Sequence, residues 1–206
     1  MKKVLLTLTV FVAGLSVTAL DMNAQDSSSK TRFQQDMQKW HQEMEEFKAR
    51  SEQRREINEL TDSIAGVQAA AAVQNRDFVL EADQVTFKNG NTVFVNSNTT
   101  CISVKGNRAV VQISPSNFAA GPNGVGGVTV DGSISGMQRM VDKRGNTTIS
   151  FNVTGIGINA QIEIYMTPGT NRASATIYPN FNSNTVWIEG EIVPYNNSDV
   201  FEGMSL

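Results

Sequence analysis

The chain has 206 residues, with 17 basic and 20 acidic side chains and a formal net charge of -3. A protein that binds a phosphate backbone needs a basic face, so this composition argues against nucleic acid as a partner. The single cysteine, Cys101, excludes an intramolecular disulfide and a thiolate metal cluster. Because Cys101 lies in an alternating apolar run, we expect it to be a small buried residue of a strand.

The single histidine, His41, precedes every predicted strand, and residues 76–206 contain no histidine. Ser-His-Asp and Cys-His catalysis require an imidazole beside the nucleophile, and most zinc sites use His or Cys. We therefore predict no catalytic residues, no metal site and no cofactor.

The N-terminus predicts a cleavable signal peptide over residues 1–24. A short basic region, Met1-Lys2-Lys3, precedes an apolar stretch over residues 4–17 that is too short to span a bilayer. We expect cleavage after Ala24, or alternatively after Ala19, to yield a periplasmic or secreted protein. No later apolar run approaches about 18–20 residues, so we expect no transmembrane span after processing.

Residues 25–75 predict a polar leader, over residues 26–30, and then a charged amphipathic helix. The helical segment is rich in good helix formers, and its large apolar residues recur at heptad spacing. This stripe consists of Phe33, Met37, Trp40, Met44 and Phe47. The stripe packs on the β domain or belongs to a solvated spacer in one interpretation. In the other it mediates self-association or binds a periplasmic protein partner. Further apolar residues follow in a shifted register, at Ile57, Leu60, Ile64 and Val67.

Residues 76–195 predict an all-β domain, followed by a C-terminal tail over residues 196–206. Alternating apolar runs are separated by turn residues, and hairpin turns are predicted at Asn89-Gly90, Gly106-Asn107 and Gly145-Asn146. A shift in apolar parity predicts a bulge near Asp83-Gln84. About nine or ten short strands with no helical period between them indicate a mainly β fold, an antiparallel sandwich or barrel.

Four segments of this domain occur in a distinctive order and spacing. They are FVLEADQV at 78–85, VKGNRAVVQISP at 104–115, GGVTVDG at 126–132 and IEGEIVP at 188–194. These segments resemble an exported Bacteroidetes family that is catalogued as a domain of unknown function, numbered 4251. The resemblance covers residues 60–195. It implies the β fold and supplies no catalytic residues.

Two features of the β domain are candidates for ligand binding. A glycine-rich segment either forms a tight connection that needs positive φ angles or faces a ligand, and its candidate residues are Asn123, Gly124, Gly126 and Gly127. The other candidates, Trp187, Glu189 and Glu191, share one face of a strand. Paired carboxylates beside an aromatic residue occur in sugar-cleaving sites. Two residues apart on one strand, however, both carboxylates point the same way, which favours a solvated face.

These observations favour a non-enzymatic periplasmic binding or interaction protein. The alternatives are a small-molecule or lipid carrier with a β-barrel cavity and, in third place, a hydrolase. The choice between barrel and sandwich separates the first two, because a carrier needs an internal cavity of several hundred cubic ångströms.

Overall fold

The computed structural model describes residues 26–114, 127–155, 159–180 and 184–203, with side chains from residue 32 onward. The predicted signal peptide and its cleavage site lie outside the described residues. Within the described ranges, a long helix is followed by nine strands and a short 3-10 helix.

The helix α1 spans Asp26–Asn75 and includes the serine-rich residues predicted as a leader. Its sequence contains no proline, so no missing amide interrupts it. The helix ends at Arg76, whose φ of +54° is left-handed and whose amide donates to the carbonyl of Val73 at 3.2 Å. The chain divides within α1 into two compact units, Met1–Gln53 and Arg54–Leu206.

The strands follow one another with short connections. They are β1 (Asp77–Phe87), β2 (Thr92–Phe94), β3 (Cys101–Lys105), β4 (Arg108–Ile113), β5 (Val128–Val141), β6 (Thr147–Gly155), β7 (Asn159–Met166), β8 (Arg172–Pro179) and β9 (Val186–Pro194). The 3-10 helix, η1, spans Tyr195–Asn197 and begins the C-terminal tail.

Eight of the strands, β1 and β3–β9, form a closed antiparallel barrel. From β3 to β9 each strand pairs with the next along the chain, and β1 closes the circle by pairing with both β3 and β9. The ninth strand, β2, pairs with β1 at residues 84–86, beyond Glu81, where the pairing with β3 ends. The mainly β fold is therefore confirmed, and it is a barrel with one added strand.

The predicted turns and bulge are confirmed. The turn glycines adopt left-handed φ angles of +81°, +62° and +87° at Gly90, Gly106 and Gly145. The register of β1 against β9 shifts between Ala82 and Gln84, at the predicted bulge. One strand is longer than its pattern indicates: β5 continues past Ile134 to Val141. A second register shift, between Ser135 and Gln138, interrupts the alternation of β5. A search for period-2 alternation therefore does not detect the last part of the strand.

Alternation along the strands fills the barrel interior. Every second residue of β6, β7 and β8 is buried while its neighbours are mostly exposed. The largest fully buried side chains include Phe78, Leu80, Ile102, Phe151, Ile162 and Ile188. These residues belong to one contiguous hydrophobic cluster.

The last turns of α1 cover one end of the barrel, which we call the closed end. This end carries the β3–β4, β5–β6 and β7–β8 turns. Ala69, Ala72 and Val73 belong to the same buried cluster as the barrel interior. A Cβ atom on Gly66 would lie 2.8 Å from the amide nitrogen of Thr170 in the β7–β8 turn. Glycine and alanine therefore allow this close approach, and the barrel core includes residues before the predicted domain start at 76.

The large apolar residues of the second half of α1 do not make this contact. Ile57, Leu60, Ile64 and Val67 are exposed, whereas the small residues Gly66, Ala69 and Ala72 are buried. No helix in the described ranges is long and apolar enough to cross a membrane.

Candidate ligand-binding site

A cavity of about 240 Å³ lies inside the barrel, at the end opposite α1. We use the label open end for this side of the barrel, where β4, β6 and β8 finish and β5, β7 and β9 begin. The connections between these strands include residues 115–126, 156–158 and 181–183, which lie outside the described residues. All six of these strands contribute to the wall. The lining residues are Val111, Ile113, Val128, Val130, Val153, Ala160, Ile177, Pro179, Asn184 and Val186.

The cavity is lined almost entirely by apolar groups, because inward-facing positions of the six strands carry Val, Ile or Ala. Within the described part of the lining, Asn184 is the one residue with a polar side chain, and it is exposed just before β9. The space arises from side-chain size. On β6 the large Phe151 fills the barrel centre, and the next inward residue, Val153, lines the cavity. Apolar cavities of this kind bind hydrocarbon groups and exclude water.

A buried polar network supports the wall beside the cavity. Gln112 is fully buried, and its Nε2 donates to the carbonyl oxygens of Thr99 and Phe201, both at 2.8 Å. Its Oε1 accepts from the amide of Gly203 at 2.7 Å and the hydroxyl of Thr129 at 3.2 Å. The amide of Gln112 therefore has two donated and two accepted bonds, and it ties the C-terminal tail to β4.

Glu202 is the ionic centre of the tail contact. Its carboxylate accepts from the hydroxyl of Ser103 at 2.6 Å, from Arg108 Nη1 at 3.1 Å and from the Tyr195 hydroxyl at 3.4 Å. Arg108 also donates to both carboxylate oxygens of Asp131, at 2.9 and 2.8 Å. The bond to Asp131, followed by the charge of Glu202, raises the pKa of Arg108. Burial and the Glu202 charge raise the pKa of Tyr195. Residues 201–203 of the predicted tail are thus packed along the outside of β3 and β4.

Cys101 lies beneath this tail and is fully buried, as predicted. Burial, followed by the charges of Glu202 and Glu81, raises the pKa of its thiol to about 12. A thiol reacts as its thiolate, so Cys101 is a poor nucleophile at neutral pH.

The glycine-rich candidates are only partly described. Asn123, Gly124 and Gly126 lie outside the described residues. Gly127 has a φ of +66°, and a Cβ atom on it would overlap the carbonyl oxygen of Ile113. Gly127 therefore serves the close approach of β4 and β5 beside the cavity, where its neighbours Ile113 and Val128 are lining residues.

The β9 candidates lie on the outer face of the barrel. Trp187, Glu189 and Glu191 are exposed, while the alternate residues of β9 face inward. Glu191 lies 3.5 Å from Arg172 Nη1, which also contacts the Asp83 carboxylate at 2.7 Å. Glu191, Arg172 and Asp83 therefore form a solvated ion network on the outer face. The β9 candidates do not converge with the cavity. Among the described residues no cluster of His, Cys, Asp and Glu could hold a metal ion.

The cavity itself was not among the sequence candidates, although each lining strand was predicted. Val111, Val153 and Ala160 stand at inward positions of alternating runs, and their small size is visible in the sequence. Only closure of the sheet brings these three strands together at one end.

Comparison with known proteins agrees with the segments identified above. A model of the family described as Domain of unknown function (DUF4251) matches residues 62–192, more than half of the chain. The chain belongs to the DUF4251 family. The predicted resemblance is thereby confirmed, and the DUF4251 match begins within α1, before the helix residues that cover the closed end.

A solved relative supports the same fold for this DUF4251 protein. A crystal structure of a DUF4251 family protein from Bacteroides eggerthii DSM 20697 is 47% identical, with a TM-score of 0.61. The match covers 69% of this chain and 96% of that chain. No curated protein matches the chain. The family description names no activity, so function has to be argued from the geometry.

Proposed function

We propose that this DUF4251 protein is a non-catalytic binding protein whose barrel takes up one small apolar ligand. The observation that carries this proposal is the apolar cavity at the open end. Closed barrels of about eight strands are just wide enough to hold one small ligand. The cavity favours the carrier interpretation over an interaction module that uses only its outer surface.

The cavity volume limits the ligand. A cavity of about 150 Å³ accommodates benzene, and drug-sized molecules occupy about 300–1,000 Å³. At about 240 Å³ the DUF4251 cavity lies between these limits. It suits one or two rings, or the end of an acyl chain, with a polar group of the ligand near Asn184 at the rim.

The lining chemistry argues against catalysis inside the barrel. Among the described residues that line the cavity, none has a titratable side chain. A hydrolase needs a nucleophile or an acid–base pair beside the bound substrate. The paired carboxylates Glu189 and Glu191 face outward instead. Binding without chemistry is the activity that this wall supports best.

A fluorescent polycyclic amine, 1-aminoanthracene, tests the proposal by titration. We expect saturable binding with a dissociation constant of order 1–100 μM, as is usual for a small apolar ligand without ionic contacts. Ala160→Leu fills the cavity and should weaken binding at least about tenfold. Gln161→Leu is the matched control, because it adds the same side chain on the outward face of β7. Equal affinities of the two variants would disprove the cavity as the binding site.

The cellular localisation is a second part of the proposal. We infer that the protein is exported and that its mature chain begins at Gln25. The basic start, the short apolar stretch and the small residue Ala24 support this inference. Intact mass of the protein from the extracytoplasmic fraction should give a chain starting at Gln25. A mass that includes Met1 would contradict export by cleavage.

A further inference from the structure

The apolar stripe in the first half of α1 presents large side chains to solvent. Phe33, Trp40 and Phe47 are 67%, 52% and 64% exposed, and Met37 is 40% exposed. The successive spacings of 4, 3, 4 and 3 residues place Met37 and Met44 at a positions and the three aromatic residues at d positions of a heptad. Such a seam is the usual contact surface between two coiled helices.

The charges beside the seam distinguish the orientation of a partner helix. At the g positions the first two residues are Asp36 and Glu43. The e positions carry Gln34, His41 and Lys48. In a parallel pair, each g residue faces the e residue five positions later on the other helix. Glu43 then faces Lys48, and Asp36 faces His41, so opposite or compatible groups meet on both sides of the seam.

An antiparallel pair of the same helices would have the opposite outcome. There, g positions face g positions, so Asp36 and Glu43 of one helix would lie against the same acids of the other. Like charges at such positions are destabilising. The charges beside the apolar seam therefore favour the parallel orientation.

The seam also has a defined end. Ser51 and Arg54 occupy the next a and d positions, and a charged d residue does not pack in an apolar seam. Pairing is thus confined to residues 33–48, about two heptads. We propose that this stripe forms a parallel, in-register coiled coil with a second copy of the chain. Because isolated two-heptad helices are marginal, association is expected in the micromolar range.

Sedimentation equilibrium of the whole chain, expressed from Met1, tests association. Trp40→Ala should raise the dissociation constant at least about tenfold, since it removes the central d side chain. Gln42→Ala, on the outer side of the same turn, should leave the dissociation constant unchanged. A wild type that stays monomeric at several hundred micromolar, or one whose association Trp40→Ala leaves unaltered, overturns the proposal. The stripe would then pack within its own chain or serve a different protein.

Charge exchange tests the orientation. Lys48 contacts Glu45 of its own helix at 3.2 Å, an exposed pair that contributes little. Glu43→Lys alone and Lys48→Glu alone should each raise the dissociation constant about five- to tenfold, and the double variant should restore it. Lys39→Glu, at an outer c position, is the matched control. Failure of the double variant to restore association excludes the parallel pairing.

An engineered thiol gives an independent readout. The native Cys101 is fully buried, so an added cysteine is the reactive thiol of the chain. Facing a residues of a parallel pair come within disulfide distance, so Met44→Cys should crosslink rapidly under mild oxidation. Gln42→Cys, on the outer face, should crosslink slowly. Equal rates for the two variants, or no crosslink with Met44→Cys, would overturn the parallel in-register arrangement.

Discussion

The two ends of the barrel are built from the same alternating strands and differ in what fills them. At the closed end, short turns and the small residues of α1 pack the interior. At the open end, valine and alanine leave about 240 Å³ unfilled. The difference shows that a cavity in this fold does not need a wider barrel. It needs small side chains at one end and a separate element that fills the other.

The most direct test of this comparison adds the same side chain at each end. Ala109 is fully buried near the closed end, and Ala160 lines the cavity. Ala109→Leu should lower the free energy of unfolding by up to about 3 kcal/mol through overpacking. Ala160→Leu should change it by less than about 1 kcal/mol, because the cavity accommodates the added carbons. Urea denaturation of both variants measures the difference, and similar losses would show that the cavity is not present in solution.

The contact between α1 and the closed end can be broken at Gly66. In a free helix, alanine is about 1 kcal/mol more favourable than glycine. A Cβ atom here, however, would lie 2.8 Å from the Thr170 amide nitrogen. We expect Gly66→Ala to lower the free energy of unfolding by about 1–2 kcal/mol. Ser63→Ala, at an exposed position one turn earlier, should raise it by a few tenths of a kcal/mol. Stabilisation by both substitutions would mean that the helix does not seal this end.

The wall formed by β3 and β4 can be loosened from outside through Glu202. Removing its carboxylate breaks the bonds to Ser103 and Arg108. We expect Glu202→Ala to lower the free energy of unfolding by about 1 kcal/mol and to speed the labelling of Cys101 by a thiol reagent. Glu189→Ala on the exposed face of β9 is the control for charge. If labelling rates are equal in the two variants, the tail does not shield this wall.

The smallest expected effect is a pH dependence at Cys101. The thiol is neutral in both states well below pH 9, and burial raises its folded pKa from 9.0 to about 12. Between these values only the unfolded chain releases the proton, so the free energy of unfolding falls as pH rises. Relative to Cys101→Ala, the wild type should lose about 1 kcal/mol between pH 8 and pH 9.5. Parallel pH profiles of the two proteins would show that the thiol is not shielded.

Much of the barrel could be predicted because its signals are local. Turn glycines at positions 90, 106 and 145 and the parity shift near Ala82 are visible in short windows, and each was found in the structure. The end of β5 could not be predicted, since its bulge at Gly136 disrupts the alternation on which strand prediction depends. The outward-facing side chains Trp187, Glu189 and Glu191 were predicted as ligand-binding candidates because of their residue types, since acidic and aromatic residues are common in binding sites.

The candidate site was harder to predict for a physical reason. A cavity is made by side chains that are too small to meet, and a small apolar residue looks the same in a filled core and beside a void. Ala109 and Ala160 stand in similar alternating runs, yet one lies in packed core and the other lines the cavity.

The sequence by itself determined the elements: a long helix without proline, strands with period-2 alternation, and turns where glycine permits positive φ. The tertiary structure decided which surfaces meet. Sheet closure through β1 and β9 made the barrel and brought six strands around one cavity. It also selected the small face of α1, with Gly66, Ala69 and Ala72, over the larger apolar residues that sequence reasoning would favour. Close packing of a helix against a backbone turn requires small side chains at the contact. The periodicity of large apolar residues does not indicate where such a contact forms.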